Sequence, residues 1–240
     1  KSQRATTRKL ADTPGLFAEI RQPSSNYVAI PTVSSEKRRY IPMAFLGANT
    51  IASNQIYVLQ DASLLHFGVL HSEMHMSWIR AVCGRLESRY RYSAGIVYNN
   101  FPWPEVTDDR RRAAIEAAAQ GVLDARAQFP GSTLADLYDP LTVPPALVKA
   151  HQQLDRAVDA AYLAAEKAAR RRAPKLGTDA ERVAFLFERY QQLASILPAE
   201  KTKRSSQAII KEHGCGALTA SEGTTVVKET RTGRGRIESA

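Results

Sequence analysis

The chain has 240 residues and a net charge of +9, with 44% hydrophobic and 24% charged residues, which is an ordinary composition for a globular protein. No apolar run approaches the roughly 20 residues of a membrane span, so we expect no membrane partner. The chain has two cysteines, Cys83 and Cys215, which lie far apart in the sequence and do not make a disulfide framework, so a reducing, cytoplasmic location is favoured. The excess of positive charge favours polyanionic partners such as DNA.

Two β-branched or aromatic runs, Tyr27–Val33 and Tyr40–Leu46, predict the strands of a hairpin. The turn between them contains three consecutive basic residues, Lys37, Arg38 and Arg39. These side chains could hold DNA phosphates, or they could simply keep the edge of a sheet solvated. The pattern does not decide between the two interpretations.

An amide-rich stretch, Asn49–Gln55, precedes a third predicted strand, Ile56–Leu59. Asn and Gln side chains pair with the N6 and N7 atoms of adenine in the major groove. The stretch therefore supplies candidate base contacts, which are Ser53, Asn54 and Gln55. The same residue types are common in turns, and taken alone the turn interpretation is favoured.

Apolar residues at spacings of three and four predict one buried helix that begins at Asp61 or Ser63 and ends near Val82. His71 and His75 lie one turn apart on it, a spacing that can ligate zinc. The zinc-protease signature needs Glu directly after the first histidine, whereas Ser72 follows here. A structural histidine pair is therefore favoured over a metal-dependent hydrolase.

The stretch from Arg85 to Pro104 begins with alternating charged and aromatic residues, which predict a strand. Glu87, Arg89 and Arg91 would then lie on one face, opposite Tyr90 and Tyr92. Arg donates two hydrogen bonds to guanine, and Glu accepts one from cytosine. Glu87 and Arg91 would be about 13 Å apart, the length of about four base pairs. A solvated outer face explains the same pattern and is favoured when the pattern stands alone.

Residues 105–198 have a helical pattern. Thr107 is predicted to cap a first helix, and Pro144-Pro145 to open a second one that ends near Arg172. Thr178 and Glu181 form a capping box for a third helix, which Pro198 ends. The basic, glycine-rich residues 199–240 predict a disordered tail, with a short strand at Thr224–Lys228.

The sequence shows no complete catalytic set. It has no glycine-rich phosphate loop after a strand, no Asp-x-Lys or Glu-x-Lys triplet of the metal-dependent nucleases, and no spacing that suggests a Ser/His/Asp or Cys/His arrangement. We therefore expect no catalysis by this chain alone and no cofactor bound to it.

Three stretches resemble the C-terminal part of MmeI-like restriction–modification enzymes. They are Ser34–Met43, Leu65–Trp78, and Gly84–Pro104 with its ending Tyr-Asn-Asn-Phe-Pro-Trp-Pro. These enzymes fuse an endonuclease to an adenine-specific DNA methyltransferase. The resemblance covers roughly residues 10–197. It implies a target-recognition domain whose base-choosing pair corresponds to Glu87 and Arg89.

The resemblance also implies that Arg91 is a further recognition position and that double-stranded DNA is the partner. S-adenosylmethionine, Mg²⁺ for cleavage, and the methyltransferase and nuclease domains would belong to an upstream part of the parent enzyme. The missing initiator methionine agrees with a piece cut from a longer protein.

The sequence thus predicts an α+β protein. Residues 1–104 would form a small mixed or antiparallel β target-recognition domain with one buried helix, residues 105–198 an all-α segment, and residues 199–240 a flexible tail. Base contacts would come from Glu87, Arg89 and Arg91, and phosphate contacts from Arg85 and the basic turn. The alternative is a helical docking module with only non-specific, salt-sensitive DNA contact.

Overall fold

Two small antiparallel sheets and seven α-helices form the part of the chain that the structure, a computed structural model, describes: residues 3–13, 15, 22–195 and 219–220. The first sheet has the strand order β3-β1-β4-β7. Its strands are β1 (Tyr27–Pro31), β3 (Ala44–Leu46), β4 (Ile56–Gln60) and β7 (Thr219–Ala220). The second sheet has the order β2-β6-β5, with β2 (Val33–Ser34), β5 (Gly84–Leu86) and β6 (Arg89–Arg91).

The helices lie mainly in the second half of the chain. They are α1 (Ala5–Leu10), α2 (Leu64–Leu70), α3 (Glu73–Val82), α4 (Asp109–Ala127), α5 (Leu134–Leu137), α6 (Pro145–Ala168) and α7 (Asp179–Ala194), with a π-helix at Ala94–Tyr98. This arrangement confirms the predicted α+β class. The predicted tail, with its strand at Thr224–Lys228, lies outside the described residues except for β7. Among the described helices, none combines the length and apolar character needed to cross a bilayer.

The predicted strand Tyr27–Val33 is divided between the two sheets at Thr32. The Thr32 amide donates to the Gln55 carbonyl at 3.1 Å, and the Thr32 carbonyl accepts from the Tyr92 amide at 2.8 Å. Gln55 directly precedes β4 of the first sheet, and Tyr92 directly follows β6 of the second sheet. The chain therefore passes from one sheet to the other at Thr32. Only Ala44–Leu46 of the second predicted strand is a strand, and it pairs with β1 as an antiparallel neighbour.

The single helix predicted over residues 61–82 is wrong, because it breaks into α2 and α3 at His71 and Ser72. The Ser72 hydroxyl accepts from the His75 amide as the N-cap of α3 and donates to the Val69 carbonyl at 2.7 Å. A serine side chain can thus replace the backbone bonds that would continue a helix. The apolar stripe survives the break, since Phe67, Leu70, Met74 and Trp78 are all buried.

Helix ends in the second half lie close to their predicted positions. Asp108, rather than Thr107, is the N-cap of α4, and its carboxylate accepts from the Arg110 amide at 2.9 Å. The long helix α6 begins at Pro145 as predicted and ends at Ala168, earlier than expected. The predicted capping box of Thr178 and Glu181 is confirmed at the start of α7.

One hydrophobic core joins the β-rich half to the helices. Helix α2 crosses α4 and α6 at Gly68, where an added Cβ would lie 2.9 Å from Ile115 and 3.2 Å from Leu154. A side chain at this position would therefore force the helices apart. Cys83 is buried, and burial raises the pKa of its thiol to about 11, as expected for a core residue.

A layer of buried and half-buried polar side chains lies against this core. The Arg126 guanidinium donates to the Met43 carbonyl at 2.8 Å, to the Tyr138 hydroxyl at 2.6 Å, and to a ring nitrogen of His71 at 3.0 Å. Tyr138 in turn contacts His151 Nε2 at 2.7 Å. Since these side chains are partners of one another, the layer fixes how α4, α5 and α6 sit against α2.

A second set of bonds ties the basic turn to the helices. The Tyr40 hydroxyl donates to one oxygen of Asp155 at 2.7 Å, and the Glu73 amide donates to the other at 2.8 Å. Glu73 also accepts from Arg39 at 3.1 Å and from Arg80 at 2.6 Å. The start of α3 is thereby fixed between the basic turn and α6.

We expect three buried histidines to make the fold acid-sensitive. Burial lowers the pKa of His75 and of His151 to about 3, and lowers that of His71 well below 6.5. The unfolded chain therefore binds more protons than the folded one between pH 6.5 and pH 3, and stability falls as the pH falls through this window. Each histidine contributes a slope of about 1.4 kcal/mol per pH unit. Urea unfolding at pH 7, 6 and 5 would measure it.

The matched control for this acid sensitivity is His75→Gln, which removes one titrating group. Between pH 6 and pH 5, the free energy of unfolding of this variant should change less steeply than that of the parent chain, by about 1.4 kcal/mol per pH unit. A stability that stays flat over this interval in the parent chain would contradict the burial of neutral histidines.

Candidate nucleic-acid interface

The stretch predicted as one strand from Arg85 is instead a tight hairpin. Strands β5 and β6 are antiparallel and are joined by a two-residue turn, Glu87–Ser88. Cross-strand partners are Leu86 with Arg89, Arg85 with Tyr90, and Gly84 with Arg91. The prediction of a continuous strand was wrong because Glu-Ser is not a typical hairpin-turn pair, whereas Asn-Gly and Asp-Gly are.

Glu87 consequently lies at the tip of the hairpin and not on a strand face. Its backbone has φ +58°, in the left-handed region that favours glycine. One carboxylate oxygen of Glu87 lies 2.7 Å from Nη2 of Arg89, while the two side chains remain 76% and 45% exposed. The spacing of about 13 Å expected between Glu87 and Arg91 assumed one straight strand, and it no longer applies because Glu87 lies in the turn.

The alternation predicted for the following residues is confirmed. Arg89 and Arg91 are exposed, whereas Tyr90 and Tyr92 are buried. The Tyr92 hydroxyl contacts His75 Nε2 at 3.0 Å, which attaches the hairpin to α3. The two arginines are therefore displayed to solvent on a strand whose other face is held by the core.

Arg85, predicted as a phosphate contact, lies on the opposite face of the hairpin from Arg89. Its guanidinium lies 4.2 Å from the centre of the Tyr90 ring and donates to the Ser88 carbonyl at 3.2 Å. Both contacts stabilise the turn from the face of the hairpin opposite to Arg89. The guanidinium remains exposed, so its charge still adds to the positive potential at the tip.

The basic turn lies beside this hairpin because β2 pairs with β6, with Val33 opposite Arg91. A hydrogen bond from its own backbone lowers the pKa of Glu36, and the Ser88 hydroxyl and the charges of Lys37 and Arg85 lower it further. Glu36 therefore lies within electrostatic reach of the hairpin turn. Sequence reasoning assigned no role to Glu36 or Ser88, and no local pattern indicates that the two residues lie close together.

The three basic residues of the turn are not equivalent. Lys37 is exposed and Arg38 is half-buried. Arg39 is paired with Glu73, which Arg80 also contacts. Lys37 and Arg38 remain phosphate-contact candidates, and so does Arg39, whose side chain is 59% exposed while its guanidinium also connects the turn to α3.

The loop with Ser53, Asn54 and Gln55 is exposed and lies against the same region. The Gln55 carbonyl accepts from both the amide and the hydroxyl of Thr32 at 3.1 Å, and Thr32 also bonds to Tyr92. The structure therefore brings together three segments that are distant in the sequence: this loop, the basic turn and the hairpin. We call this surface the recognition face.

His71 and His75 are buried and have different partners, Arg126 and Tyr92. The described residues contain no group of three or more His, Cys, Asp or Glu side chains placed to hold a metal ion.

Comparison with known proteins gives concordant matches. A family model described as "MmeI, target recognition domain" matches residues 1–105, and one described as "MmeI, C-terminal domain" matches residues 106–198. A DNA methyltransferase A of Bacillus subtilis (strain 168) is 45% identical over 193 residues, which is 80% of this chain and 21% of that protein.

A solved structure of the type IIL restriction–modification enzyme MmeI in complex with DNA is 47% identical to this chain. It matches with a TM-score of 0.70, over 80% of this chain and 24% of that one. The chain therefore spans about a fifth to a quarter of the length of these relatives.

We expect the backbone conformation of Glu87 to oppose stability. A non-glycine residue in the left-handed region costs roughly 1 kcal/mol, which glycine avoids. The Glu87→Gly variant should therefore unfold at higher urea concentration than Glu87→Ala, with a difference of about 1 kcal/mol in the free energy of unfolding. Both variants remove the exposed ion pair to Arg89, so the comparison isolates the backbone. Equal stabilities would show that the turn is not strained.

Proposed function

The chain belongs to the MmeI family, with that family's target recognition domain followed by its C-terminal domain, and from this membership we propose that it selects the DNA sequence on which a restriction–modification methyltransferase acts. The DNA complex of the 47% identical relative supports double-stranded DNA as the partner. The observation that carries the proposal is the hairpin tip, where Glu87, Arg89 and Arg91 are exposed on a braced turn.

The side chains at the tip have the chemistry for reading one base pair. A glutamate accepts from the cytosine N4 amine, and an arginine donates to guanine O6 and N7. The carboxylate of Glu87 lies 2.7 Å from the guanidinium of Arg89. The two side chains are therefore close enough to contact the two bases of one C·G pair. Their ion pair is exposed and therefore contributes little to stability, so DNA can replace it at small cost.

The surroundings of the tip suit a role in positioning. We propose that Arg91 reads a neighbouring pair, that the loop with Ser53, Asn54 and Gln55 supplies further base contacts, and that Lys37, Arg38, Arg39 and Arg85 interact with phosphates. Arg39 also supports the turn through Glu73. Phosphate contacts fix orientation on the duplex, whereas base contacts select the sequence.

The reaction itself would be performed elsewhere in a longer enzyme. We propose that adenine methylation with S-adenosylmethionine, and Mg²⁺-dependent cleavage, belong to upstream domains of the parent enzyme. We further propose residues 1–104 as the recognition domain and residues 105–198 as a helical support, followed by a tail from residue 199. Residues 1–104 and 105–198 share one hydrophobic core. This favours a supporting role for the helices, because α6 bonds to the start of α3 and α3 contacts the hairpin.

The decisive test is selection of duplexes from a randomised pool by the purified 240-residue chain. We expect a short enriched motif containing a C·G pair. In the double variant Glu87→Lys, Arg89→Asp, the preference at that pair should reverse, because donor and acceptor are exchanged. A wrong base pair should cost about 1–3 kcal/mol in binding.

A matched control exchanges charges far from the tip. Lys149→Asp with Glu188→Lys alters two exposed side chains of the helical segment and leaves the net charge unchanged, as the test variant does. It should select the parent motif. An unchanged motif in the Glu87 and Arg89 variant would refute the assignment of these two residues to base recognition.

Removing side chains that bind phosphates should act differently from removing one that reads a base. We expect Lys37→Ala with Arg38→Ala to weaken binding to all sequences alike and to reduce the slope of log K against log salt by about 0.9 for each phosphate that is no longer neutralised. Binding titrations between 50 and 200 mM salt would measure the slope. A changed motif with an unchanged slope would instead place these residues at base edges.

A further inference from the structure

Leu86 is an exposed apolar side chain at the tip of the hairpin. It is 40% exposed and lies outside both hydrophobic clusters of the described residues. It therefore contributes little to the core, although its neighbours Tyr90 and Tyr92 are core residues. Single exposed leucines are common on protein surfaces, so the position of Leu86 on the hairpin decides whether it has a role.

The strand register places Leu86 on the same face as the recognition arginines. Leu86 is directly opposite Arg89, and opposed residues of antiparallel strands project from the same side. Arg91, two residues after Arg89, shares this side. Arg85 and Tyr90 project from the other side, as their ring contact at 4.2 Å shows. Within the described hairpin, Leu86 is thus the apolar member of a face that otherwise carries Arg89 and Arg91.

The separation of side chains across the hairpin lies between one and two base-pair steps. Opposed side chains have Cβ atoms about 5 Å apart, and stacked base pairs are about 3.4 Å apart. If Arg89 contacts one base pair, Leu86 therefore reaches the next one. Gly84, opposite Arg91, adds no side chain to this face.

We propose that Leu86 is a specificity-determining residue that contacts the 5-methyl group of a thymine in the base pair next to the one read by Glu87 and Arg89. This inference rests on the proposed function. A leucine side chain has no hydrogen-bonding group, so it cannot distinguish donors from acceptors in the major groove. The thymine methyl is the apolar feature that the major groove offers to it.

The test uses duplexes of the selected motif in which each thymine is replaced, one at a time, by deoxyuridine. This replacement removes only the 5-methyl group. With the parent chain, we expect one position, adjacent to the C·G pair, at which the dissociation constant rises about threefold to fourfold, as for one buried methyl group. The Leu86→Ala variant should bind the thymine and deoxyuridine duplexes equally well, and Leu86→Met should retain the discrimination.

Leu141→Ala is the matched control, because Leu141 is a 93% exposed leucine of the helical segment. It should discriminate as the parent chain does. Discrimination that persists in Leu86→Ala, a Leu86→Met variant that no longer discriminates, or a motif without thymine beside the C·G pair would each overturn the proposal. Failure of the proposed function is distinguishable, because the parent chain would then enrich no motif at all.

Discussion

The recognition face depends on the burial of Tyr90 and Tyr92, which alternate with the exposed Arg89 and Arg91. Because side chains alternate along a strand, burying these two rings directs Arg89 and Arg91 outward. The contact of the Tyr92 hydroxyl with His75 at 3.0 Å then ties this strand to α3. Without this attachment and the pairing of β6 with β2, the hairpin would be an isolated two-stranded element, which is only marginally stable in water. The position of the charged tip is therefore set by the aromatic side chains behind it.

The helical half extends this support. Asp155 on α6 accepts from Tyr40 and from the first amide of α3, so the basic turn and the helix that holds the hairpin share one anchor. Burial raises the pKa of Asp155, and these hydrogen bonds oppose that shift. A buried carboxylate tolerates its environment only when it is satisfied in this way. The arrangement suits a module that must hold several DNA contacts in fixed relative positions.

Ion pairs serve two purposes in this molecule. Arg189 is almost completely buried and contacts Glu105 at 2.9 Å and Glu166 at 3.5 Å, so it connects the segment after the β-rich half to α6 and α7. The pair of Glu87 and Arg89 is exposed and local. Breaking a buried pair leaves a charge without compensation, whereas an exposed pair exchanges readily with water or with another partner. Only the exposed kind is suited to repeated binding and release.

The sequence by itself determined the α+β class, the alternation of Arg89, Tyr90, Arg91 and Tyr92, the capping box of α7 and the family resemblance, because each is written in local periodicity or in a contiguous motif. It did not reveal the turn at Glu87–Ser88, the break before Ser72, or the proximity of Glu36 to Ser88. Only the tertiary structure decided these features. The placement of the basic turn beside the hairpin depends on contacts between distant segments, such as the pairing of β2 with β6 and the bonds of Thr32 to Gln55 and Tyr92, which no local propensity encodes. The break before Ser72 and the turn at Glu87–Ser88 are local, but the apolar stripe continues across the first and the second lacks a typical turn pair.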